Sequence, residues 1–107
     1  MKLIIAIVST DDSGLLTDEL ARNRISVTKL SSTGGFLRSG NVTLMIGCES
    51  DQVESILDII RQKCVSRKEL VASPPIIGVS TTMNWPVEIN VGGATVFILE
   101  IDRFEKI

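Results

Sequence analysis

Glycines, an aromatic ring and an arginine are concentrated between residues 32 and 47, the part of the chain whose residue types best suit ligand binding. Gly34, Gly35 and Gly40 fall within seven residues, and Phe36 and Arg38 lie between them. Glycine permits positive φ and lets a ligand or a second chain approach the backbone closely. An aromatic ring in such a loop must pack on its own core or stack on a ligand, and the pattern leaves both interpretations open. The segment predicts a shaped polar loop between two strands.

Catalytic and metal-binding groups are scarce. The chain contains no histidine, which removes the commonest general base and the commonest metal ligand. Cys48 and Cys64 without histidine do not build a zinc site. No nucleophile elbow, phosphate-binding loop or paired-carboxylate motif is present, and Asp11 and Asp12 suit the first turn of a helix. We therefore expect that the protein is not an enzyme and that it binds neither a metal ion nor a cofactor.

Length and charge limit the number of domains and the kinds of partner that the chain can have. The 107 residues predict a single domain over 1–107. A net charge of −2 and a pI near 5.0 give no basic excess for binding a nucleic acid polymer. The apolar runs are too short to cross a membrane. Two cysteines are too few for a disulfide framework and nothing marks secretion, so we expect reduced thiols and a cytoplasmic location.

Alternating and helical patterns predict the elements that position the loop. An apolar first strand is followed by an amphipathic helix that begins near Asp11–Ser13 and ends near Asn23, and a second helix is capped by Ser50. Residues 66–71 fit a turn and a short strand, and Gly92–Gly93 mark a turn. The main predicted strands are 2–8, 25–31, 41–48, 86–91 and 94–101. This order predicts an α+β, ferredoxin-like βαββαβ fold with an extra C-terminal strand.

Such a sheet carries helices on one face only, yet its first and last strands in chain order are apolar on both sides. In the first strand Leu3 and Ile5 alternate with Ile4 and Ala6, and residues 94–101 show the same pattern. The open face therefore needs a cover, and self-association is the simplest one. The pattern predicts an oligomer without giving its number.

Three functional classes fit this order of elements. An RNA-recognition sheet would need aromatic residues on its central strands, and the chain has only three phenylalanines and no tyrosine. A small enzyme lacks a candidate acid–base pair. A regulatory module that binds a metabolite between subunits explains the glycine-rich loop and its aromatic residue, and we favour this class.

Four segments carry a resemblance to a known family. Residues 1–8, 27–30, 33–43 and 86–97 read MKLIIAIV, VTKL, TGGFLRSGNVT and PVEINVGGATVF, and they resemble the PII-like cyclic di-AMP receptors. The resemblance implies a homotrimer of ferredoxin-like subunits that binds cyclic di-AMP in clefts between neighbours. It implies a signal receiver whose loops, after the second strand and after the second helix, rearrange to address an effector protein, here unknown.

The resemblance also implies the ligand contacts. Thr28 would donate or accept a hydrogen bond to the nucleotide, and Asn41 would read an adenine edge with its amide. Gly35, Phe36 and Leu37 would wrap the ligand through backbone and apolar contacts. The backbone of Gly47 would lie against the ligand, and Phe97 would form an aromatic wall of the pocket. Arg38 would offer charge to a phosphate.

Two positions depart from the family pattern. Where the family has Asn-Phe-Arg, this chain has Arg24, Ile25 and Ser26, so the expected phosphate-binding arginine is a serine. Arg24, two residues away, would lie on the same face of a strand and would reach the same phosphate, so Arg24 and Ser26 are both candidate ligand-binding residues. Lys106 stands where the family has glutamine. The alternative is therefore a PII-like regulator that binds another nucleotide or acts only through protein contacts.

Overall fold

The structure described here is a computed structural model, and it describes residues 1–30, 40–72 and 86–107. A single 3-10 turn, Ser50–Gln52, precedes the second helix. The elements in chain order are β1 Lys2–Ser9, α1 Thr10–Arg22, β2 Val27–Leu30, β3 Asn41–Cys48, α2 Val53–Lys63, β4 Arg67–Ala72, β5 Pro86–Val91 and β6 Ala94–Glu100.

Four of these strands form one antiparallel sheet in the order β2-β3-β1-β6. β1 pairs with β3 from Lys2↔Cys48 to Ser9↔Asn41, and with β6 on its other side. β1 and β2 are thus parallel to each other with β3 between them, which is the split arrangement of a ferredoxin-like fold. The mixed α+β sheet with two helices is compatible with the predicted fold.

The structure corrects the position of the extra strand. β6 is the fourth strand of the sheet and not an addition to it, whereas, among the described strands, β4 and β5 pair only with each other, from Arg67↔Val91 to Ala72↔Pro86. The additional strands are therefore a separate hairpin inserted between α2 and β6. Gly92 and Gly93 have φ of 77° and 74°, and this left-handed connection turns the chain from the hairpin into the sheet. A count of strand-like segments does not reveal which segments pair.

One face of the sheet and both helices enclose the hydrophobic core. The strands contribute alternate residues, because successive side chains of a strand point to opposite faces. Burying each large aliphatic side chain contributes roughly 1.5–3 kcal/mol. The fully buried members are Ile4, Ala6, Leu16, Leu20, Leu44, Ile46 and Ile56.

Both helix starts differ from their predicted positions by a few residues. Ser9 caps α1, and its Oγ accepts a hydrogen bond from the Asp11 N–H at 3.2 Å. The cap lies earlier than predicted because β1 continues into the helix without a loop. At the second helix, Glu49 caps the preceding 3-10 turn, and its backbone N–H donates to Gln52 Oε1 at 2.9 Å. Gln52 is the cap of α2, whereas Ser50, the predicted cap, is the first residue of the 3-10 turn.

A tight junction connects the hairpin to α1. Arg67 Nη1 lies 3.3 Å from Asp12 Oδ2 and 3.2 Å from the Val65 carbonyl oxygen. A Cβ at Gly92 would lie 2.4 Å from that same oxygen, so a larger residue does not fit there. Burial, and then the Asp12 carboxylate, raise the pKa of the neighbouring Cys64 thiol to about 11.

Candidate functional site

A cavity of about 570 Å³ opens beside the ends of β2 and β3. It brings together three of the residues assigned to ligand binding, Ser26, Thr28 and Gly47. Its other lining residues come from the start of the chain, from β3 and from the C-terminal segment: Met1, Met45, Phe104, Glu105, Lys106 and Ile107. The cavity is thus built from segments that are far apart in the sequence.

The sheet register explains why two of these residues meet. Thr28 pairs with Met45 on β3, and Gly47, two residues further along β3, pairs with Leu3 on β1. Thr28 and Gly47 therefore lie on adjacent strands on the same face. Gly47 has no atom within 4 Å of a hypothetical Cβ, so its backbone is open to an approaching molecule.

Arg24 does not occupy the position that the sequence suggested. β2 begins only at Val27, and Arg24 lies in the turn after α1 with φ of 59°, in the left-handed region. Its N–H donates to the Ala21 carbonyl oxygen at 3.0 Å. The expectation that Arg24 shares a strand face with Ser26 is therefore wrong, and Arg24 is not among the residues that line the cavity.

The remaining described residues of the predicted site share one sheet face. Thr28, Met45, Ile5 and Phe97 form a row across the four strands through successive pairs. Three strand spacings separate Thr28 from Phe97, or about 14 Å. All of these side chains lie on the face without helices, which we call the open face.

Asn41 lies on the open face as well, at the far end of β3. Six residues separate Asn41 from Gly47, which corresponds to about 20 Å along the strand. The predicted contacts therefore lie on one surface but do not form a compact site within one chain. The predicted loop contacts Gly35, Phe36, Leu37 and Arg38 lie outside the described residues.

Thr43 on β3 is a feature of this surface that the sequence patterns did not single out. It is only 7% exposed, and it pairs with Ile7 and with Leu30. Its hydroxyl oxygen is the one buried side-chain polar atom without a hydrogen-bond partner among the described residues. Such an atom carries a desolvation cost of roughly 1–3 kcal/mol.

The C-terminal segment is the other contributor to the cavity, and of its residues the sequence patterns had indicated only Lys106, as a departure from the family. The Ile101 N–H donates to the Met1 carbonyl oxygen at 3.1 Å, and Lys2 pairs with Glu100. The hydrogen bond from Lys2 and its charge lower the pKa of the Glu100 carboxyl. These contacts hold the end of β6 beside β1, from which residues 104–107 reach the cavity. The lone aromatic Phe104 in a polar tail was the available signal.

The cavity offers hydroxyl groups, an open backbone, apolar walls and a lysine ammonium. This set suits a ligand with a flat apolar part, hydrogen-bonding edges and an anionic group.

Across 1–30, 40–72 and 86–107, no three His, Cys, Asp or Glu side chains are grouped so as to hold a metal ion. Within the same ranges, neither helix has the length and apolar character needed to span a bilayer.

Comparison with known proteins agrees with this chemistry. The chain matches the family described as "Cyclic-di-AMP receptor" over residues 1–107. It also resembles a crystal structure described as that of a functionally unknown protein from Pediococcus pentosaceus ATCC 25745, with 40% sequence identity and a TM-score of 0.73. That match covers 99% of this chain and 96% of the other. The resemblance inferred from the sequence motifs is confirmed: this chain belongs to the cyclic-di-AMP receptor family.

Proposed function

We propose that this protein is a PII-like receptor that binds cyclic di-AMP on the open face of its sheet, in clefts between the subunits of a homotrimer. The observation that carries this proposal is the spread of the predicted contacts over one surface. Thr28 and Gly47 lie at one end of the open face, Asn41 at the other end, and Phe97 on the opposite edge strand.

This spread favours a site shared between chains. Thr28 and Phe97 are about 14 Å apart across the strands, which is too far for both to contact one adenine. A second copy that packs against the open face would bring its own contact residues to the ligand. A dinucleotide, which has two purines and two phosphates, matches a site assembled from two chains better than a mononucleotide does.

The apolar character of the open face supports the same assembly. Phe97 is 54% exposed, Leu99 45% and Leu30 42%, although all three lie in strands. Leu30 is on one edge strand and Phe97 and Leu99 on the other, so exposed apolar residues occur on both sides of this face, as expected of an interaction surface. Cyclic symmetry would cover this surface in every subunit without leaving an open end.

The role that we propose is reception of a signal and not catalysis. Binding would change the conformation of the loop after β2 and of the segment between β4 and β5, and those segments would address an effector protein. Trp85 lies in the second segment. Its fluorescence should change on addition of cyclic di-AMP, and an unchanged signal at saturating ligand would contradict a response of that segment.

Calorimetric titration tests the ligand. We expect saturable binding of cyclic di-AMP, and weaker or no binding of cyclic di-GMP and ATP. Thr28→Val keeps the volume of the side chain and removes its hydroxyl, so it should lower the affinity roughly tenfold, as expected for one lost hydrogen bond. Thr17→Val, a substitution of the same kind on α1, should bind as the unaltered protein does.

The same titration decides between the proposal and its alternative. Among its described residues, the cavity has no arginine, which favours the alternative of a different nucleotide over a strict repeat of the family's ligand site. Preferred binding of ATP or cyclic di-GMP would support that alternative. An absence of binding by every nucleotide at high micromolar concentration would overturn the proposed function.

Sedimentation equilibrium tests the assembly. We expect a mass of three 11.6 kDa chains, and Phe97→Asp should shift it toward the monomer because a charge then lies on the buried interface. Leu15→Asp is the matched control, since Leu15 is 63% exposed on α1. A monomeric unaltered protein, or a Phe97→Asp trimer, would contradict the interface.

A further inference from the structure

The cavity beside β2 and β3 has one feature that the family assignment does not supply, namely the source of its positive charge. Among its described lining residues, Lys106 is the only lysine or arginine. Resting on the proposed function, we infer that Lys106 holds a ligand phosphate in this chain and replaces a cation on the strand side of the cavity, where Ser26 lies.

Lys106 is free to make this contact. It has no hydrogen bond or ion pair with any residue in the described parts of the chain. The other charged side chain in the lining, Glu105, accepts a hydrogen bond from Arg103 Nε at 3.1 Å and is also paired with Arg103 Nη2. The carboxylate of Glu105 is therefore balanced by Arg103, and the ammonium of Lys106 remains to attract an anion.

Two other cationic side chains in the described residues, Arg24 and Lys29, do not compete for this role. Arg24 lies in the turn after α1 and does not line the cavity. Lys29 follows Thr28 directly but pairs with Leu44, so its side chain is on the helix-covered face. The groups that a phosphate near Thr28 and Gly47 would contact in the described residues are therefore hydroxyls, exposed backbone and the Lys106 ammonium.

The position of this cation in the tail has a consequence for binding. Hydrogen bonding of Ile101 to Met1 fixes the chain beside β1, and the residues beyond it reach the cavity without belonging to a strand. A lysine has a flexible stem and a compact charge. Phosphate binding would then hold the tail against β2 and β3, whereas a cation at position 26 would already be held in place by β2, which begins at the next residue.

Lys106→Gln is the direct test, with cyclic di-AMP affinity measured by calorimetry. Loss of a charge-assisted hydrogen bond should weaken binding about tenfold to hundredfold. Lys29→Gln removes the same charge one residue from Thr28 but on the other face, and it should change the affinity less than about twofold. Both positions are exposed, so the two variants should melt at the temperature of the unaltered protein.

A second variant separates a charge contact from a general effect of the tail. Ser26→Arg in the Lys106→Gln background places a cation at the strand side of the same cavity, and it should restore most of the lost affinity. Lys106→Gln binding that equals that of the unaltered protein would overturn the inference and leave the proposed function intact. A loss that Ser26→Arg does not restore would also overturn it, since the charge would then not be the cause. No binding by the unaltered protein would overturn the proposed function itself.

Discussion

The two faces of the four-stranded sheet are made by alternate residues of the same strands, yet one face is buried and the other is largely exposed. On β3, Leu44 and Ile46 are completely buried against the helices, while Met45 between them is only partly buried and Gly47 is exposed. On β1, Ile4 is fully buried and its neighbours on the open face are not. Apolar residues occupy both faces, so residue type alone does not decide which face becomes the core.

The difference lies in what covers each face. α1 and α2 fill the covered face, and their side chains complete a core without exposed members. At one end of the open face, the C-terminal segment lies beside the strands and lines the cavity there. The covered face therefore provides most of the stability of the chain, whereas the open face keeps exposed apolar side chains such as Phe97 and Leu99.

Substitution of adjacent residues on β3 gives the largest expected difference between the faces. Leu44→Ala should lower the free energy of unfolding by about 2–5 kcal/mol, because it removes a completely buried side chain from a packed core. Met45→Ala should cost clearly less in the isolated subunit. Urea denaturation at a dilution at which the chain is monomeric would measure both, and equal losses would contradict the distinction between the faces.

The covered side of the molecule also predicts a dependence on alkaline pH. The pKa of the buried Cys64 thiol rises from 9.0 to about 11, so the unfolded chain releases this proton at lower pH than the folded chain does. The stabilising contribution is complete below pH 9 and is lost as pH rises through 11, and two pKa units correspond to at most about 2–3 kcal/mol.

Unfolding experiments at several pH values would measure this contribution. Cys64→Ala should reduce the decline in stability between pH 9 and 11, whatever its effect at neutral pH. Cys48→Ala is the control, because burial also raises the pKa of Cys48 but less strongly, and most of the decline should remain. An unchanged profile for Cys64→Ala would show that this thiol does not ionise in that range.

The smallest expected effect tests whether the open face is prepared for a partner. Thr43→Val replaces a buried hydroxyl that has no partner among the described residues, so stability should stay within about 1 kcal/mol of the original or rise. Thr17→Val removes a hydroxyl that donates to the Ser13 carbonyl oxygen at 2.9 Å, and it should destabilise slightly. A marked destabilisation by Thr43→Val in denaturation experiments would show that this hydroxyl is bonded in the folded protein.

Much of the local structure was predictable because it depends on local patterns. The alternation in residues 2–8 and 41–48 predicted β1 and β3 almost to the residue, and the helical pattern that follows Ser50 predicted α2. The motifs from residues 33–43 and 86–97 indicated the family, which the match over the whole chain confirms. The helix caps were misplaced by a few residues, since Ser, Asp and Glu can all cap and only the end of the preceding strand selects one.

Strand pairing was not predictable in the same way. Residues 86–91 and 94–101 both have apolar patterns typical of strands, but of the two only β6 joins the four-stranded sheet, and the left-handed Gly92–Gly93 connection lies between it and β5, which pairs with β4. Arg24 illustrates the same limit. Because Arg24 is two residues from Ser26, the two would share a face if both were on a strand. β2 begins only at Val27, however, and Arg24 lies in the turn before it.

The sequence by itself determined the secondary structure, the family and the chemical types at the site, because these follow from short-range spacing and from motifs. The tertiary structure decided which residues meet. It separated Asn41 and Phe97 from Thr28 by about 14 Å or more and brought Lys106 to the cavity that Ser26 lines. Such contacts depend on the register of strands and on the path of the tail, and both are set by packing between segments that are distant in the chain.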